Sequence, residues 1–211
     1  MTRRWFVGWF LLPVLSSPAA AEPSTRVAWT PEVLRTVRAG DAGKGMQLAE
    51  GCQACHGENR AAELPSLDGQ LATYLYRQLR DYQDGSRQHP VMSAIASGLS
   101  EVDMVNLAAF YSTLPASGAK RDPRTAPDLV VRGDSKRLIP PCGICHGGKG
   151  QGEPVDTPRL AGQSQAYLRD TLLAYRSGQR HNDIYRRMRA MAERLSAEEI
   201  DELAAYYASL E

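Results

Sequence analysis

The sequence predicts an all-α molecule of two tandem domains related by internal duplication. Apolar residues recur at helical spacing in several segments, and no stretch alternates in the way a half-buried strand does. An ordered set of short motifs appears twice, at an offset of 90–96 residues. A chain of 211 residues accommodates two small domains at roughly 100 residues each.

The elements follow in order. Residues 1–21 read as a secretory signal peptide. Arg3 and Arg4 precede the apolar run Trp5 to Leu15, and Ala19-Ala20-Ala21 supplies an A-x-A cleavage pattern before Glu22. A membrane anchor is disfavoured, because a span needs about 20 apolar residues and Pro13 interrupts this run. Val33, Leu34 and Val37 predict a short helix after Pro31. Asp41 can cap a second helix that runs toward Leu48. Leu71, Tyr74, Leu75, Leu79 and Tyr82 mark an amphipathic helix ending near Gly85, repeated by Tyr167, Leu168, Thr171, Leu172 and Tyr175 up to Gly178. The last helix of each half opens on Ser100-x-x-Asp103 or Ser196-x-x-Glu199. The second is a full capping box and the first a weaker variant. Pro115 to Asp128 has the composition of a linker. The expected division is 22–118 for the first domain with its N-terminal extension and 119–211 for the second.

Charge narrows the function. There are 25 basic and 24 acidic residues, a formal net charge of +1. Loss of residues 1–21, with Arg3 and Arg4, leaves 190 residues at −1. Neither value suits a nucleic-acid or general anionic-membrane binder. Export makes paired cysteines suggest disulfides by default, so the local sequence must decide against them.

It does so through the repeat. Cys52-Gln-Ala-Cys55-His56 is matched by Cys142-Gly-Ile-Cys145-His146. Gly-Asp precedes each. Pro-x-Leu-x-Gly-Gln follows at 65–70 and 158–163, then Tyr-Leu, Gly-x-Arg, and a closing Leu-Ala-Ala-(Phe/Tyr)-Tyr at 107–111 and 203–207. Cys-x-x-Cys-His is a haem-attachment signal. Two thiols three positions apart reach the two vinyl groups on one porphyrin edge, and the next histidine offers its imidazole to the iron. A zinc ribbon would pair its two knuckles about 15–20 residues apart, whereas Cys55 and Cys142 are 87 apart. A thioredoxin-like site needs a βαβ context, and a disulfide needs no adjacent histidine. Two covalently bound haem c groups are therefore expected, and each would supply the core that a domain of roughly 90 residues lacks.

The sixth iron ligand is expected to be Met92 in the first domain and Met188 in the second. Both lie seven residues before Leu-Ser, in what reads as a loop ahead of the last helix. Thioether sulfur is a soft ligand, and His/Met ligation raises the reduction potential. Met191 is the rival at the second site. Met46 and Met104 sit within helical patterns and read as core. His89 and His181 have no histidine counterpart in the other half, so they read as surface or loop residues.

This set of motifs resembles the dihaem cytochromes c of the cytochrome c4 family over nearly all of residues 38–211. The resemblance implies two class I cytochrome c domains about a pseudo-twofold axis, with the propionate edges near their interface. It implies His56 and Met92 on one iron and His146 and Met188 on the other. It further implies that the Pro65 and Pro158 carbonyls hold the histidine Nδ1 protons, fixing ring orientation and ligand basicity. One departure stands out. Gly-Asp to Cys is three residues shorter in the second half and carries Pro140-Pro141, which predicts a truncated first helix there.

With six ligands on both irons, the protein would be a periplasmic one-electron-per-haem carrier. By resemblance, its partners would be a quinol-oxidising cytochrome bc complex and a terminal oxidase or other reductase. Retention of the leader would add a loose membrane association. Two other classes remain open. One is a dihaem enzyme, either a peroxidase or a sulfur-compound dehydrogenase. The other is the electron-accepting subunit of a dehydrogenase complex. Residues 176–194 hold Arg176, Arg180, Arg186, Arg187, Arg189 and Arg194 against Asp183 and Glu193, a face expected to suit an acidic partner.

Overall fold

The computed structural model describes residues 23–116 and 125–210. The leader at 1–21 and most of the linker, with the expected boundary at 118/119, lie outside the described residues. Every regular element among the described residues is helical. The first half holds α1 (Pro31–Arg38), α2 (Ala42–Leu48), α3 (Glu50–His56), α4 (Ala72–Asp84), α5 (Pro90–Ser97) and α6 (Glu101–Thr113). The second holds α7 (Asp128–Val131), α8 (Cys142–His146), α9 (Gln165–Arg176), α10 (Arg187–Ala192) and α11 (Ala197–Ala208).

Local chemistry sets these boundaries. Pro31 stands in the first turn of α1, where its missing N–H costs nothing. The Asp41 carboxylate accepts from Gly43 N and Lys44 N and starts α2. Gly85 ends α4 at φ 83°, a conformation glycine adopts without steric cost. The first capping box is complete rather than weak. Ser100 N donates to Asp103 Oδ2 at 3.0 Å and Asp103 N to Ser100 Oγ at 3.1 Å. The shorter Asp side chain still reaches its target.

Each half has its own core. Val37, Leu75, Met104, Val105, Leu107 and Tyr111 form the first, and Leu129, Leu168, Ile200, Leu203 and Tyr207 the second. Met104 and Ile200 occupy equivalent places, and both are fully buried. Met46 was expected in the core but is 57% exposed. The α2–α6 crossing is instead made through Gly45, whose small size brings the helix backbones together and leaves Met46 on the outer face.

The shortening expected ahead of Cys142 is present. In place of α2 and the start of α3 there is one 3₁₀ turn, Ser135–Arg137, closed by an Asp134–Ile139 bridge. The N-terminal extension crosses the first half. Trp29 packs on Tyr76 with ring centroids 6.4 Å apart, and Thr25 Oγ1 donates to Asp81.

Candidate functional site

Each Cys-x-x-Cys-His lies on one short helix, α3 or α8, which carries both thiols and the histidine together. All four cysteines are free. Cys52 and Cys142 are half-buried, whereas Cys55 and Cys145 are exposed. Burial pushes the Cys52 thiol up and the Cys142 thiol up to about 11. Both are therefore neutral thiols at physiological pH, unlike the low-pKa thiolates of redox-active or metal-binding sites. Among the described residues, no three His, Cys, Asp or Glu side chains gather to hold a metal ion by themselves.

Both histidines are buried at the ends of their helices. His56 Nδ1 lies 3.0 Å from the Pro65 carbonyl, and His146 Nδ1 lies 3.0 Å from the Pro158 carbonyl. A carbonyl can only accept, so Nδ1 carries a proton and Nε2 is the nitrogen left to serve a metal. Burial further lowers the pKa of His146, which keeps that imidazole neutral. The donor set thus fits a haem twice over: two thiols three positions apart on one helix and one imidazole already oriented by a backbone acceptor.

The methionines occupy helices rather than loops. Met92 stands in the first turn of α5, where Pro90 fixes the backbone and His89 Nδ1 accepts from Met92 N at 3.3 Å. His89, read from the sequence as a surface or loop residue, is thus an exposed helix cap. Met188 lies in the first turn of α10, entered through Tyr185 and Arg186 in the left-handed region at φ 56°. Met92 and Met188 are half-buried, and neither packs on a core cluster. Met191 packs against the core of the second half.

The repeated Gly-Gln pairs join the halves, a role the sequence reading did not give them. Gly69 and Gly162 sit at φ 66° and 71°, and each donates its N–H to the end of the last helix, at Tyr111 O and Tyr207 O. Each following glutamine then brackets a residue of the opposite half. Gln163 Oε1 accepts from Ser66 N and Gln163 Nε2 donates to Ser66 O, both at 2.9 Å. Gln70 Oε1 accepts from Arg159 N at 2.8 Å and Gln70 Nε2 donates to Arg159 O at 3.0 Å. The result is a reciprocal pair about a pseudo-twofold axis.

The arginines of Gly-x-Arg cross over in the same way. Arg87 Nη2 donates to Tyr167 Oη at 3.2 Å, and Arg180 Nη2 donates to Tyr74 Oη at 3.0 Å. Both also reach Gln78 Oε1. Burial alone would raise the Tyr167 hydroxyl, but the Arg87 and Arg180 charges outweigh it and hold that group below the usual phenol range.

The remaining contacts are asymmetric. The buried Arg77 guanidinium bonds Asp156 Oδ1 (2.6 Å), Asp81 Oδ2 (2.9 Å) and the Asn182 carbonyl (2.6 Å). Asn182, fully buried, donates to Gln78 Oε1 at 3.0 Å and Asp81 Oδ2 at 2.7 Å. Asp183 accepts from Arg189 N at 2.9 Å and pairs with its guanidinium at 2.7 Å, at the start of α10. A sequence signal for this existed. The repeat offset steps from 90 to 93 between His146 and Pro158, and from 93 to 96 between Gly178 and Met188. Both three-residue insertions fall where the second half grips Arg77.

The expected arginine face is smaller than the sequence count. Arg180 is only 7% exposed and belongs to the interface. Arg189 pairs with Asp183, and Arg186 pairs with Glu193 at 2.5 Å. Arg176, Arg187 and Arg194 bond backbone carbonyls rather than carboxylates.

Comparison with known proteins bears on the family and the fold. Residues 136–211 match the family model of cytochrome c. A thiosulfate dehydrogenase electron acceptor of Stutzerimonas stutzeri is 37% identical over 77% of this chain and 80% of its own length. Cytochrome c4 of Pseudomonas aeruginosa is 32% identical over 82% of this chain and 90% of its own. The structure of reduced recombinant cytochrome c4 from Pseudomonas stutzeri matches with a TM-score of 0.77 at 33% identity, covering 82% of this chain and 100% of that one.

Proposed function

Because the chain belongs to the cytochrome c4 family, we propose that it is a periplasmic dihaem carrier passing one electron per haem, with residues 1–21 as its export signal. As a cytochrome c4-like chain it is an electron carrier with covalently bound haem c. In the proposed arrangement, Cys52 and Cys55 hold one haem and Cys142 and Cys145 the other. His56 and Met92 ligate the first iron, and His146 and Met188 the second. The reading rests above all on the duplicated proximal set, in which each histidine Nδ1 lies 3.0 Å from a proline carbonyl.

Haem supplies reversible one-electron exchange. The chain supplies the conditions that make the exchange fast. The Pro65 and Pro158 carbonyls fix the imidazole planes and raise their donor strength. Met92 and Met188 stand outside the cores, which favours sulfur ligation. The core position of Met191 favours Met188 over it. Six protein and porphyrin ligands on each iron would leave no site for a substrate, which favours a carrier over a dihaem peroxidase or sulfur-compound dehydrogenase.

A second reading concerns the electron donor. Thiosulfate dehydrogenase acceptors among the relatives favour a dehydrogenase partner over a cytochrome bc complex. Protein matured in a host that attaches haem c is expected to carry two covalent haems, both low-spin when oxidised. Bare thiols by mass analysis would end the haem reading, and one high-spin haem would favour an enzyme. Mixing the oxidised protein with thiosulfate and its dehydrogenase, or with a quinol-oxidising complex and quinol, then separates the donors by rate of reduction.

A further inference from the structure

We propose that Gln70 and Gln163 are positioning residues that tune the haem of the opposite half, each acting on the distant proximal histidine through a single peptide group. The inference rests on the haem reading above. The Pro65 carbonyl and the Ser66 N–H belong to one amide unit. Its oxygen takes the His56 Nδ1 proton at 3.0 Å, and its N–H donates to Gln163 Oε1 at 2.9 Å. The Pro158–Arg159 amide repeats this, with His146 Nδ1 at 3.0 Å on its oxygen and Gln70 Oε1 at 2.8 Å from its N–H. Two hydrogen-bonded chains therefore cross the interface in opposite directions: His56 to Gln163 and His146 to Gln70.

The physics gives the sign. An acceptor on an amide N–H draws the amide toward its charge-separated form and places more negative charge on the carbonyl oxygen, so successive hydrogen bonds strengthen one another. The stronger acceptor pulls the Nδ1 proton and makes the imidazole a better donor at Nε2. A better donor stabilises ferric over ferrous iron and lowers the reduction potential. Both glutamines are suited to the task. They are 7% and 8% exposed, so water does not compete for the bond. Each amide oxygen also accepts the next residue's own N–H, at Leu71 (3.0 Å) and Ser164 (2.9 Å), which locks the side chain in place. The preceding glycine is held in the left-handed region with its N–H on the last helix, which fixes the origin of the side chain.

The consequence is a crossed dependence: each half of the molecule sets part of the potential of the haem that it does not carry. The test is a spectroelectrochemical titration of the holoprotein and of Gln163→Leu, Gln163→Glu and Gln70→Leu. The two haems are first assigned by magnetic resonance contacts to their own cysteines. Gln163→Leu removes the acceptor and should raise the potential of the haem on Cys52 and Cys55. The expected change is three- to tenfold in its reduction equilibrium, about 30–59 mV for one electron, with a smaller change at the other haem. Gln163→Glu, a stronger acceptor, should move the same haem the other way. Gln70→Leu should raise the haem on Cys142 and Cys145. The Nδ1 proton resonance of the affected histidine should shift with it.

Equal shifts of both haems, or a larger shift at the variant's own haem, would mean that loosening the interface is the cause and would overturn the inference. So would a shift of the same sign for Leu and Glu at position 163. Should either leucine variant fail to load haem, the milder Gln→Met at the same position gives the same crossed readout. Absence of two covalent haems in the native protein would instead refute the functional reading beneath it.

Discussion

Arg77 binds Asp81, Asp156 and the Asn182 carbonyl with one guanidinium that is almost wholly shielded from water. Burial raises both carboxyl pKa values, and the Arg77 charge works against that rise. Removing the arginine would leave two buried carboxylates without their counter-ion, a loss of about 3–5 kcal/mol. Arg77→Met should therefore lower the free energy of unfolding by about that amount. The deficit should shrink on acidification. With Arg77 gone, both carboxyl pKa values rise further above their unfolded values. A raised folded-state pKa contributes stability that is present at low pH and is lost as pH rises through it. Denaturant unfolding of both proteins across the acid range checks this, and a deficit independent of pH would contradict it. The two insertions mark the loops that grip Arg77, but Arg77 itself is unmarked in the repeat alignment, where it faces Asp170. A residue without a counterpart carries no mark in a duplicated sequence.

At the level of elements, the close crossing of α2 and α6 depends on Gly45. A Cβ there would stand 2.0 Å from the Asn106 carbonyl oxygen and 2.7 Å from Phe110 Cβ. The nearest obstacle is backbone, so the helices themselves must separate. Gly45→Ala should cost at least the ~1–3 kcal/mol typical of overpacking, read as a lowered denaturant midpoint. Among the described residues the second half has no such crossing, and charge ties its 3₁₀ turn in place instead. Arg137 joins Asp134 (2.7 Å) and Glu199 (2.6 Å), tying the 3₁₀ turn to the start of α11. The Arg137 hydrogen bond holds the Glu199 carboxyl below its ordinary value. A lowered folded-state pKa gives stability that is present above the unfolded pKa and fades as pH falls through the folded one. Glu199→Gln should accordingly be less stable than the parent at neutral pH and converge with it in acid. Parallel thermal melts test this. Helices α1, α2, α4, α6, α9 and α11 were legible, because caps and apolar spacing are local, whereas the short α5 and α10 read as loops. The placement of Met46 was not, because both faces of α2 carry apolar side chains and only the partner helix selects one.

For the whole molecule, the interface is polar, with one reciprocal set of contacts and one asymmetric set. Gln70 and Gln163 make the symmetric pair, whereas the two insertions of the second half close on Arg77 from one side only. Charge at the outer surface follows the same lesson. Six arginines between 176 and 194 suggested one strong patch, but folding places Arg180 inside and pairs Arg186 and Arg189 with carboxylates. Arg187 and Arg194 remain the exposed arginines of that face without a carboxylate. Reversing both to Glu should slow reduction or oxidation by an acidic redox partner at low ionic strength, with the difference fading as salt screens the field. Stopped-flow mixing over a salt series checks this, and salt-independent rates would place the docking face elsewhere.

The sequence by itself determined the helical class, the duplication, the thiol–imidazole sets and the shortened segment before Cys142. The duplication is read from recurrence in order, and the others are written in residues close together along the chain, where spacing translates directly into geometry. Only the tertiary structure decided what joins one half to the other. Gln163 meets Ser66 across 97 positions and Asn182 meets Asp81 across 101. Those contacts obey no local period. They arise when two separate cores come to rest against each other and most buried polar groups between them find partners, Gln78 Nε2 being an exception.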